Sequence, residues 1–469
     1  MMEFTHDLIV IGAGPAGMSA AMKGADLGLK TLLLDEQPHQ GGQIYRNVTQ
    51  VPASVARLLG PDYVYGLTLA QCLDRSSVEC RFGAMVWEVA DDLTVTVQQD
   101  EKSFRVRAPQ LIAATGAMER PSPVPGWTLP GVLNAGAAQI ALKTSAAIPQ
   151  GRVVLIGAGP LLLLVACQLL DAGVTVAAIV QTAPADNKQK AMQHLAAALA
   201  APGYLLKGLR MLWRLRRAGV TMVSAATDVR IKGDEHVETV SFSVDGRAQQ
   251  VDADVVLLHH GVTPNTQLSR QLRVDHAWDE VNLSWYPVVD AWGQTSLSGF
   301  RIAGDGAEIG GARAAEPSGA LAAIGAARAI GRLDEASFQT QSSPERKKLA
   351  QQMKIRPFLD ALYRPPQWLA NPVDETIVCR CEEVTAGRIR EMARLGCQGP
   401  NQTKFFSRCG MGPCQGRMCG LTVTQILSSE LGRPPAQIGA YHVRTPLKPV
   451  TLGSLAALAD PDFVQQKGH

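Results

Sequence analysis

The chain has 469 residues, too many for one hydrophobic core, which predicts two to four domains. Hydrophobic residues make up 46% and charged residues 19%, as in an ordinary water-soluble protein. The net charge of +3 gives no reason to expect a nucleic-acid partner or direct binding to an anionic membrane. The first residues enter a strand pattern without the apolar region of a signal peptide, so we expect a cytoplasmic protein.

A strand–helix–strand unit opens the chain. Residues 7–12 form an apolar run suited to a buried parallel strand, and a helix and a strand at 30–35 follow. The turn before the helix has the pattern G-x-G-x-x-G, formed by Gly12, Gly14, Pro15, Ala16 and Gly17. Such glycines let a pyrophosphate approach the backbone at the helix start, where free N–H groups favour an anion. We expect Asp35 to bind the adenosine ribose, with Glu36 as the alternative because strand ends are uncertain by a residue.

Three later segments favour FAD as the dinucleotide. They resemble the motifs of the glutathione-reductase-like flavoprotein superfamily, over roughly residues 5–335: an ATG turn with Thr115 and Gly116, a second FAD motif with Gly304 and Asp305, and a crossover turn at 261–265. The same resemblance places Gly42, Gln43 and Arg46 of the segment GGQIYR at the flavin. Disulfide reductases of this superfamily carry a cysteine pair near 41–46 or 130–145. Neither segment here contains a cysteine, so dithiol chemistry on the flavin is not expected.

A second unit of the same kind begins at residue 151, but its motif is altered. Leucine replaces the third glycine at Leu162, and the following strand ends at Gln181 without an acid for a ribose. Three interpretations stay open: a vestigial domain kept for packing, a site for another nucleotide such as ATP or NAD(P), and productive reduction by NAD(P)H. The uncharged run 153–170 is long enough for a membrane span, but its internal turn favours a buried strand and helix.

The predicted fold class is α/β, with two Rossmann-like domains of glutathione-reductase type and a small α-rich C-terminal domain. Residues 299–330 predict a strand, an acidic turn and a long helix that return the chain to the first domain. The predicted boundaries are 1–118 and 290–340 for a split FAD-binding domain, 119–289 for the inserted domain, 341–374 for a proline-rich linker, 375–432 for a cysteine-containing domain and 433–469 for an extended tail.

Six of the nine cysteines lie between residues 379 and 419, which points to a metal centre. A cytosolic location favours metal over disulfides, and four cysteines suit either a [2Fe–2S] cluster or structural zinc. The C-x-C spacing is awkward for structural zinc. The sequence CRCEEVT followed by GMGPCQGRMC resembles the [2Fe–2S] domain of bacterioferritin-associated ferredoxin. That resemblance implies four ligands, Cys379, Cys381, Cys414 and Cys419. Cys409 is a substitute ligand or a spare thiol, and Cys397 is expected to be buried or free.

The whole set of motifs resembles the α (A-type) subunits of bacterial heteromeric amine dehydrogenases, which include opine oxidases, D-hydroxyproline dehydrogenase, dye-linked proline dehydrogenases and the B subunit of hydrogen cyanide synthase. The resemblance implies a β subunit, built like a D-amino-acid oxidase, that oxidises the substrate C–N bond with its own flavin. This chain would relay the electrons to a quinone or a similar acceptor. It also implies a small ferredoxin-like γ subunit, room for FMN where subunits meet, and peripheral membrane association through the complex.

Two interpretations compete with electron transfer inside such a complex. One is a self-contained NAD(P)H-dependent reductase of ferredoxin type, which the altered second motif disfavours. The other is a structural protein of the assembly that holds zinc. No His–carboxylate pair in the sequence suggests a substrate base, and we expect His259 and His260 to serve packing or solvent contact. Arg313 and Glu316 could line the flavin or a subunit interface, and Tyr45 could contact the flavin.

Overall fold

A computed structural model describes residues 3–100 and 102–458 of the chain. The strands are β1 (Leu8–Ile11), β2 (Thr31–Asp35), β3 (Glu79–Phe82), β4 (Met85–Val89), β5 (Thr94–Gln99), β6 (Lys102–Arg107), β7 (Gln110–Ala113), β8 (Ala117–Glu119), β9 (Val132–Asn134), β10 (Arg152–Ala158), β11 (Thr175–Gln181), β12 (Thr221–Val223), β13 (Thr227–Lys232), β14 (Thr239–Val244), β15 (Arg247–Asp252), β16 (Val255–His260), β17 (Val262–Pro264), β18 (His276–Asp279), β19 (Ser284–Pro287), β20 (Phe300–Ile302), β21 (Ile377–Cys379) and β22 (Val384–Thr385).

The helices are α1 (Pro15–Asp26), α2 (Ala53–Leu59), α3 (Pro61–Asp74), α4 (Ala135–Ser145), α5 (Pro160–Asp171), α6 (Asn187–Met192), α7 (Leu195–Leu199), α8 (Pro202–Arg217), α9 (Gln267–Gln271), α10 (Ala312–Ala329), α11 (Glu335–Met353), α12 (Arg356–Leu362), α13 (Gln367–Ala370), α14 (Ala386–Arg394), α15 (Pro400–Ser407), α16 (Gly420–Leu431), α17 (Pro435–Ile438) and α18 (Leu452–Ala456).

The first domain is built on a five-stranded parallel sheet in the order β20-β7-β1-β2-β3. All four residues of β1 are buried because α1 and α10 cover one face of the sheet and the β4–β5–β6 layer covers the other. Its fifth strand, β20, comes from residue 300 onward, so the second domain is inserted into the first. The strand, turn and helix predicted at 299–330 are confirmed as β20, a short 3₁₀ turn and α10.

The second domain repeats this plan with the order β12-β11-β10-β16-β9. The predicted α/β class with parallel sheets is therefore confirmed. The uncharged run 153–170 divides into most of β10, the central strand of this sheet, and most of α5, which packs on the sheet; nearly all of the run is buried or half-buried. Among the described residues, no helix combines the length and the apolar composition that crossing a bilayer would take.

Residues 341–374, which the sequence predicts as a linker, are largely helical. They contain the second half of α11 and all of α12 and α13. Two of the prolines that suggested a linker stand at helix starts: Pro357 lies in the first turn of α12, and Pro366 is the N-cap of α13, whereas Pro344 lies inside α11. Proline is tolerated at a helix start because the first backbone N–H groups have no partner inside the helix.

The cysteine segment forms a small helical unit with its own core. Its one two-stranded sheet pairs β21 with β22, and α14 and α16 pack on each other around Ile389, Val423 and Ile426. Thr385 caps α14 as predicted, because its hydroxyl accepts a bond from the Arg388 N–H at 3.3 Å. Of the predicted tail, residues 433–458 contain α17, an extended stretch and α18. The tail beyond residue 458 lies outside the described residues.

Candidate functional site

The first glycine turn lies at the carboxyl end of β1 and is held by contacts that leave no room for side chains. A Cβ on Gly12 would stand 2.5 Å from the Ala114 carbonyl oxygen, and Gly12 has φ +103°. A Cβ on Gly17 would stand 1.7 Å from the Gly12 carbonyl oxygen. No side chain caps the start of α1 at Gly14. The backbone N–H groups of this first turn are therefore available to an anion such as a pyrophosphate.

The three later motifs lie against this turn. The Asn265 N–H donates to the Gly116 carbonyl at 3.0 Å, which joins the crossover turn to the ATG turn that begins at Thr115. A Cβ on Gly304 would stand 2.7 Å from the Cβ of Ala16. Asp305 accepts the N–H groups of Gly310 and Gly311 at 2.9 and 2.8 Å, and so fixes the loop that leads into α10. The predicted FAD motifs thus form one continuous cradle.

The predicted ribose end lies where β2 stops. Asp35 is buried, and its two oxygens accept the N–H groups of Ala13 at 2.5 Å and Gln37 at 2.7 Å. Burial raises the pKa of Asp35 above its usual value, although these two hydrogen bonds oppose the effect. Arg46 bonds Gln37, and its buried Nε has no hydrogen-bond partner. Buried polar groups are nearly always hydrogen-bonded, so an unpaired donor beside a buried carboxylate is typical of a site for a polar ligand.

A second polar group lies at the start of α10. The Tyr65 hydroxyl donates to Glu316 Oε2 at 2.9 Å, and the Arg313 guanidinium lies 3.5 Å from the Tyr65 ring centroid. The other Glu316 oxygen is buried without a partner, and burial raises the pKa of this carboxyl. Tyr45 is fully buried and lies 6.5 Å from Tyr65, centroid to centroid. Glu316 and Arg46 therefore supply the two unsatisfied groups that a flavin nucleotide could engage, so the cradle fits FAD.

The segment 41–46 closes over the first turn. The Gly41 N–H donates to the Ala13 carbonyl at 2.8 Å, and a Cβ on Gly42 would stand 2.7 Å from the Gly14 Cα. Lys143 of α4 reaches this segment from the second domain. Its ammonium donates to the carbonyls of Gln43 and Ile44 at 3.1 and 2.8 Å. Burial lowers the pKa of Lys143 to about 7. This lysine therefore ties the flavin-side loop to the inserted domain.

The second glycine turn has a different shape. Gly159, the residue before α5, has φ +125°, whereas Gly14 before α1 has φ −74°. Leu162 is buried, and the helix still starts at the corresponding proline, so its side chain has not delayed the helix. The imidazole of His259 lies against the turn, with Nε2 3.2 Å from where a Cβ on Gly159 would stand. The second turn therefore differs from the first in the backbone conformation of Gly159 and in the imidazole beside it, although no side chain caps the start of α5 either.

Both histidines of β16 are buried, which confirms packing but not solvent contact. His259 Nδ1 lies 2.6 Å from Glu119 Oε1, and the other Glu119 oxygen accepts the Gly136 N–H at 2.9 Å. His260 Nδ1 lies 2.8 Å from the Ser122 hydroxyl. The Glu119–His259 pair spans 140 positions, and for that reason no sequence pattern signalled it. It stands at the carboxyl edge of the second sheet, where ligands of such folds bind.

Five of the six clustered cysteines converge. The sulfur atoms of Cys379, Cys409 and Cys419 lie within 4.8 Å of one another, and all three residues are buried. Thiol hydrogen bonds from Cys409 and Cys419, aided by the Gly410 N–H, lower the pKa of Cys379 to about 2. The hydrogen bond to Cys379 raises the pKa of Cys409 to about 12. One thiolate with two thiols beside it is a donor set ready for a metal.

The other two cysteines form a neighbouring pair. The Cys381 thiol contacts both the side chain and the backbone of Cys414, and burial raises the pKa of Cys381. Gly412 packs on Cys381, since a Cβ there would stand 2.2 Å from the Cys381 Cβ. Cys397 is buried and separate from both groups. Two of the predicted ligands, Cys379 and Cys419, thus lie in a triad with Cys409, and the other two, Cys381 and Cys414, lie together as a separate pair. The four-ligand set stays a prediction, with Cys409 as a substitute ligand or a spare thiol.

The segment after α17 joins this cysteine site to the first domain. Tyr441 lies against Gly410 and Gly416, and its hydroxyl donates to the Cys409 carbonyl at 2.9 Å. Six residues further on, the Leu447 N–H donates to the Trp87 carbonyl at 2.7 Å. The next residue, Lys448, pairs with Glu36. The side chain of Glu36 therefore contacts the C-terminal segment, which leaves Asp35 as the buried acid of the ribose end.

An intact dinucleotide cradle, a second altered domain and a cysteine site define a flavoprotein oxidoreductase of the two-dinucleotide-domain class. Comparison with known proteins agrees. The pattern of the pyridine nucleotide-disulphide oxidoreductase family matches residues 6–329, which implies an FAD-type cofactor. The pattern of the sarcosine oxidase A3 domain matches residues 374–459. Because this match is not to a ferredoxin domain, the [2Fe–2S] domain that the sequence suggested stays a prediction.

Relatives match nearly the whole chain. The A-type subunit of opine oxidase from Agrobacterium tumefaciens (strain Ach5) is 44% identical over 97% of this chain and 92% of its own. Hydrogen cyanide synthase subunit HcnB of Pseudomonas protegens is 33% identical over 94% and 96%. The crystal structure of L-proline dehydrogenase from P. horikoshii shares the fold, with a TM-score of 0.69 and 19% identity over 97% of this chain and 81% of that one. The chain belongs to the pyridine nucleotide-disulphide oxidoreductase family and, within it, to the family of the opine oxidase A subunits.

Proposed function

We propose that this chain is the electron-transferring flavin and iron–sulfur subunit of a multisubunit dehydrogenase that oxidises a secondary amine or amino acid. The observation that carries the proposal is the full-length similarity to the A-type subunit of opine oxidase, combined with one intact dinucleotide cradle. No cysteine pair occurs in the segments 41–46 and 130–145, where disulfide reductases of this class carry one. The glycine turn of the second domain is altered at Leu162. Both features support a flavin that receives its electrons from another subunit.

The first domain supports FAD as its cofactor. The residues proposed to hold it are Gly12, Gly14, Pro15, Ala16, Gly17, Asp35, Glu36, Gly42, Gln43, Arg46, Thr115, Gly116, Gly304 and Asp305. When bound, FAD supplies two-electron and one-electron chemistry. The chain's own part is to hold the pyrophosphate at the start of α1, to bind the ribose through Asp35, and to keep the loop before α10 in place through Asp305.

The two cysteine groups support a [2Fe–2S] cluster. Four thiolates are needed, two for each iron. The triad would supply Cys379 and Cys419 to one iron, and the pair would supply Cys381 and Cys414 to the other. Cys409, the third member of the triad, would then remain as a hydrogen-bond donor beside the cluster. A bound cluster supplies one-electron transfer, which suits a relay.

Metal analysis of single Cys→Ser variants tests the ligand set. Iron and acid-labile sulfide are expected in the wild-type chain and lost in the variants of the four proposed ligands. Cys409→Ser is expected to keep its iron, as is the control Cys397→Ser, whose buried thiol lies outside both groups. If iron were lost from Cys409→Ser but kept in Cys419→Ser, Cys409 would be the fourth ligand in place of Cys419. Zinc without sulfide in the wild type would overturn the cluster and favour a structural role.

The substrate chemistry is proposed to occur in a β subunit built like a D-amino-acid oxidase. A small ferredoxin-like γ subunit, FMN at the subunit interface and a quinone acceptor complete the proposed complex. Relatives named for opine oxidation suggest an opine. The resemblance of the motifs to D-hydroxyproline and proline dehydrogenase α subunits suggests proline or D-hydroxyproline as a second class. Similarity to HcnB favours glycine as a third.

Co-purification with its partners followed by a dye-reduction screen tests this division of labour. The complex is expected to oxidise one of these substrates, and the isolated chain, carrying its flavin, is expected to oxidise none. Turnover of an opine or D-hydroxyproline by the isolated chain would contradict the proposal.

The second domain is proposed to contribute packing rather than a reductant site. Equilibrium dialysis with ATP and NAD(P) tests whether it binds another nucleotide.

A further inference from the structure

The connection between β11 and β12 is strongly basic. Residues 187–217 contain seven Lys and Arg and no Asp or Glu, although the whole chain has a net charge of only +3. These cations are Lys188, Lys190, Lys207, Arg210, Arg214, Arg216 and Arg217. The small net charge of the whole chain therefore hides a local excess of positive charge on α6 and α8.

The same connection exposes apolar side chains. In the first domain the matching connection, between β2 and β3, packs α3 on the core through five buried residues. Helix α8 is longer, with 16 residues, but buries only Leu215. Six of the twenty exposed large hydrophobic side chains of the described residues belong to this one connection: Met192, Leu199, Tyr204, Leu206, Leu209 and Trp213.

Three of these side chains form a stripe along the outer face of α8. Leu206, Leu209 and Trp213 are spaced by three and four residues, which places them on one side of a helix. Their exposed fractions are 48%, 64% and 62%. The inner face has its own apolar residues, with Met211 and Leu212 packed beside Leu215 against the domain core. The outer stripe therefore does not contribute to the core of the domain.

The cations flank this stripe and are held in two ways. Lys207 lies 2.5 Å from Asp62, and Arg214 pairs with Asp171, so both fix α8 to the body of the protein. The Arg217 guanidinium lies 5.2 Å from the Trp213 ring centroid. Arg210 and Arg216 form no ion pair among residues 3–100 and 102–458. Two arginines on either side of an exposed Leu–Trp stripe are thus available to an external anionic surface.

We propose that α8 binds an anionic membrane surface, lying in the headgroup plane with Leu206, Leu209 and Trp213 at the acyl boundary. A helix with a Leu and Trp face beside arginines is the form that interfacial helices take. An acidic protein would satisfy the arginines but would need a matching apolar groove for the convex stripe. The proposal does not depend on the flavin or the cysteine site, and it adds direct lipid contact to association through other subunits.

Vesicle flotation of the full chain tests the proposal. Wild type is expected to float with vesicles of phosphatidylcholine containing about 30% phosphatidylglycerol and to bind phosphatidylcholine alone weakly. Raising the salt from about 0.1 M to about 1 M shortens the Debye length from about 10 Å to about 3 Å and is expected to release the protein. No flotation of wild type with the anionic vesicles would overturn the proposal.

Two variants separate the apolar and basic contributions. Leu209→Gln with Trp213→Gln is expected to weaken vesicle binding at least about tenfold. Arg210→Gln with Arg216→Gln is expected to weaken it about thirtyfold on anionic vesicles only, at about 1 kcal/mol for each arginine. The control is Phe405→Gln with Phe406→Gln, whose side chains are 78% and 63% exposed on α15. It is expected to bind like wild type.

These variants alter exposed positions, so unchanged flavin content and unfolding temperature would show that each one folds. If the α8 variants kept full vesicle binding, the proposal would be wrong. If they instead lost their partner subunits while vesicle binding stayed at the wild-type level, α8 would be a protein interface.

Discussion

The two glycine turns occupy the same place in two copies of one fold, yet they differ in backbone conformation and in the residue at the third glycine position. Gly12 and Gly157 both have positive φ and both lie against the next strand, with Ala114 beside the first and His259 beside the second. At the helix start the turns diverge, because Gly159 has a left-handed φ of +125° and Gly14 does not. The two turns therefore differ in conformation while the sheets behind them keep the same plan.

Three separate side chains account for the change. A buried Leu162 replaces the glycine that the first domain has at Gly17, and His259 stands where the first domain has Ala114. The second strand of the unit ends at Gln181, whereas the matching strand of the first domain ends at Asp35. These exchanges leave the hydrophobic core in place, since β10 and β16 are almost wholly buried. Anion binding depends on the turn, whereas stability depends on the strands behind it, so the two properties can separate.

The largest effect is expected from making the first turn resemble the second. Gly17→Leu would place a Cβ 1.7 Å from the Gly12 carbonyl, where backbone must move to accept it. We expect loss of FAD and much less folded protein, measured as flavin absorbance per chain and by thermal unfolding.

The corresponding position of the second turn, Leu162, supplies the control. Leu162→Ala removes a buried side chain and should cost about 2–5 kcal/mol of unfolding free energy, but flavin content should not change. Flavin lost from Leu162→Ala, or a full complement retained in Gly17→Leu, would show that the two turns do not have the separate roles assigned to them.

The contact between the two domains gives the next largest effect. In the native state burial lowers the pKa of Lys143 from 10.5 to about 7. Between these values the unfolded state binds the proton and the native state does not, so the unfolding free energy rises with pH across the window. At about 1.4 kcal/mol per pH unit, the gain from about pH 7 to about pH 9 is about 3 kcal/mol.

Urea unfolding of wild type and Lys143→Met at several pH values measures this gain. The variant lacks the titrating group, so the difference between the two proteins should widen in favour of wild type as the pH rises across that window. Parallel curves would show that Lys143 is charged in the folded protein.

A smaller effect of the same kind is expected in acid from the second domain. Burial, with the nearby His259 and Arg120, lowers the pKa of His260 from 6.5 to about 3. Below the upper value the unfolded state takes up a proton that the native state refuses, so stability falls with falling pH. The loss attributable to His260 should be about 2 kcal/mol at about pH 5. The variant His260→Phe should lack it, as urea unfolding at neutral pH and in mild acid would show; an equal loss in both proteins would contradict the assignment.

Local patterns were sufficient to predict much of this molecule. The two strand–turn–helix units, the return of the chain at β20 and the Thr385 cap depend on neighbours a few residues away, and the structure has them. Pairs distant in the chain left no such signal: Glu119 with His259, Lys143 with Gln43, and Glu36 with Lys448. The prolines of α12 and α13 misled because a helix start and a linker use the same residue.

The smallest effect is expected from restoring one missing feature of the second turn. Gln181→Asp returns an acid to the end of β11, but Leu162 and His259 still crowd the glycine turn. Because a pyrophosphate needs the turn as well as the ribose acid, stoichiometric NADH or NADPH should leave the flavin of both wild type and variant oxidised under anaerobic conditions. Flavin absorbance followed over minutes checks this. Bleaching of the wild type would revive a self-contained reductase, and bleaching of the variant alone would mean that the acid, not the turn, decides nicotinamide binding.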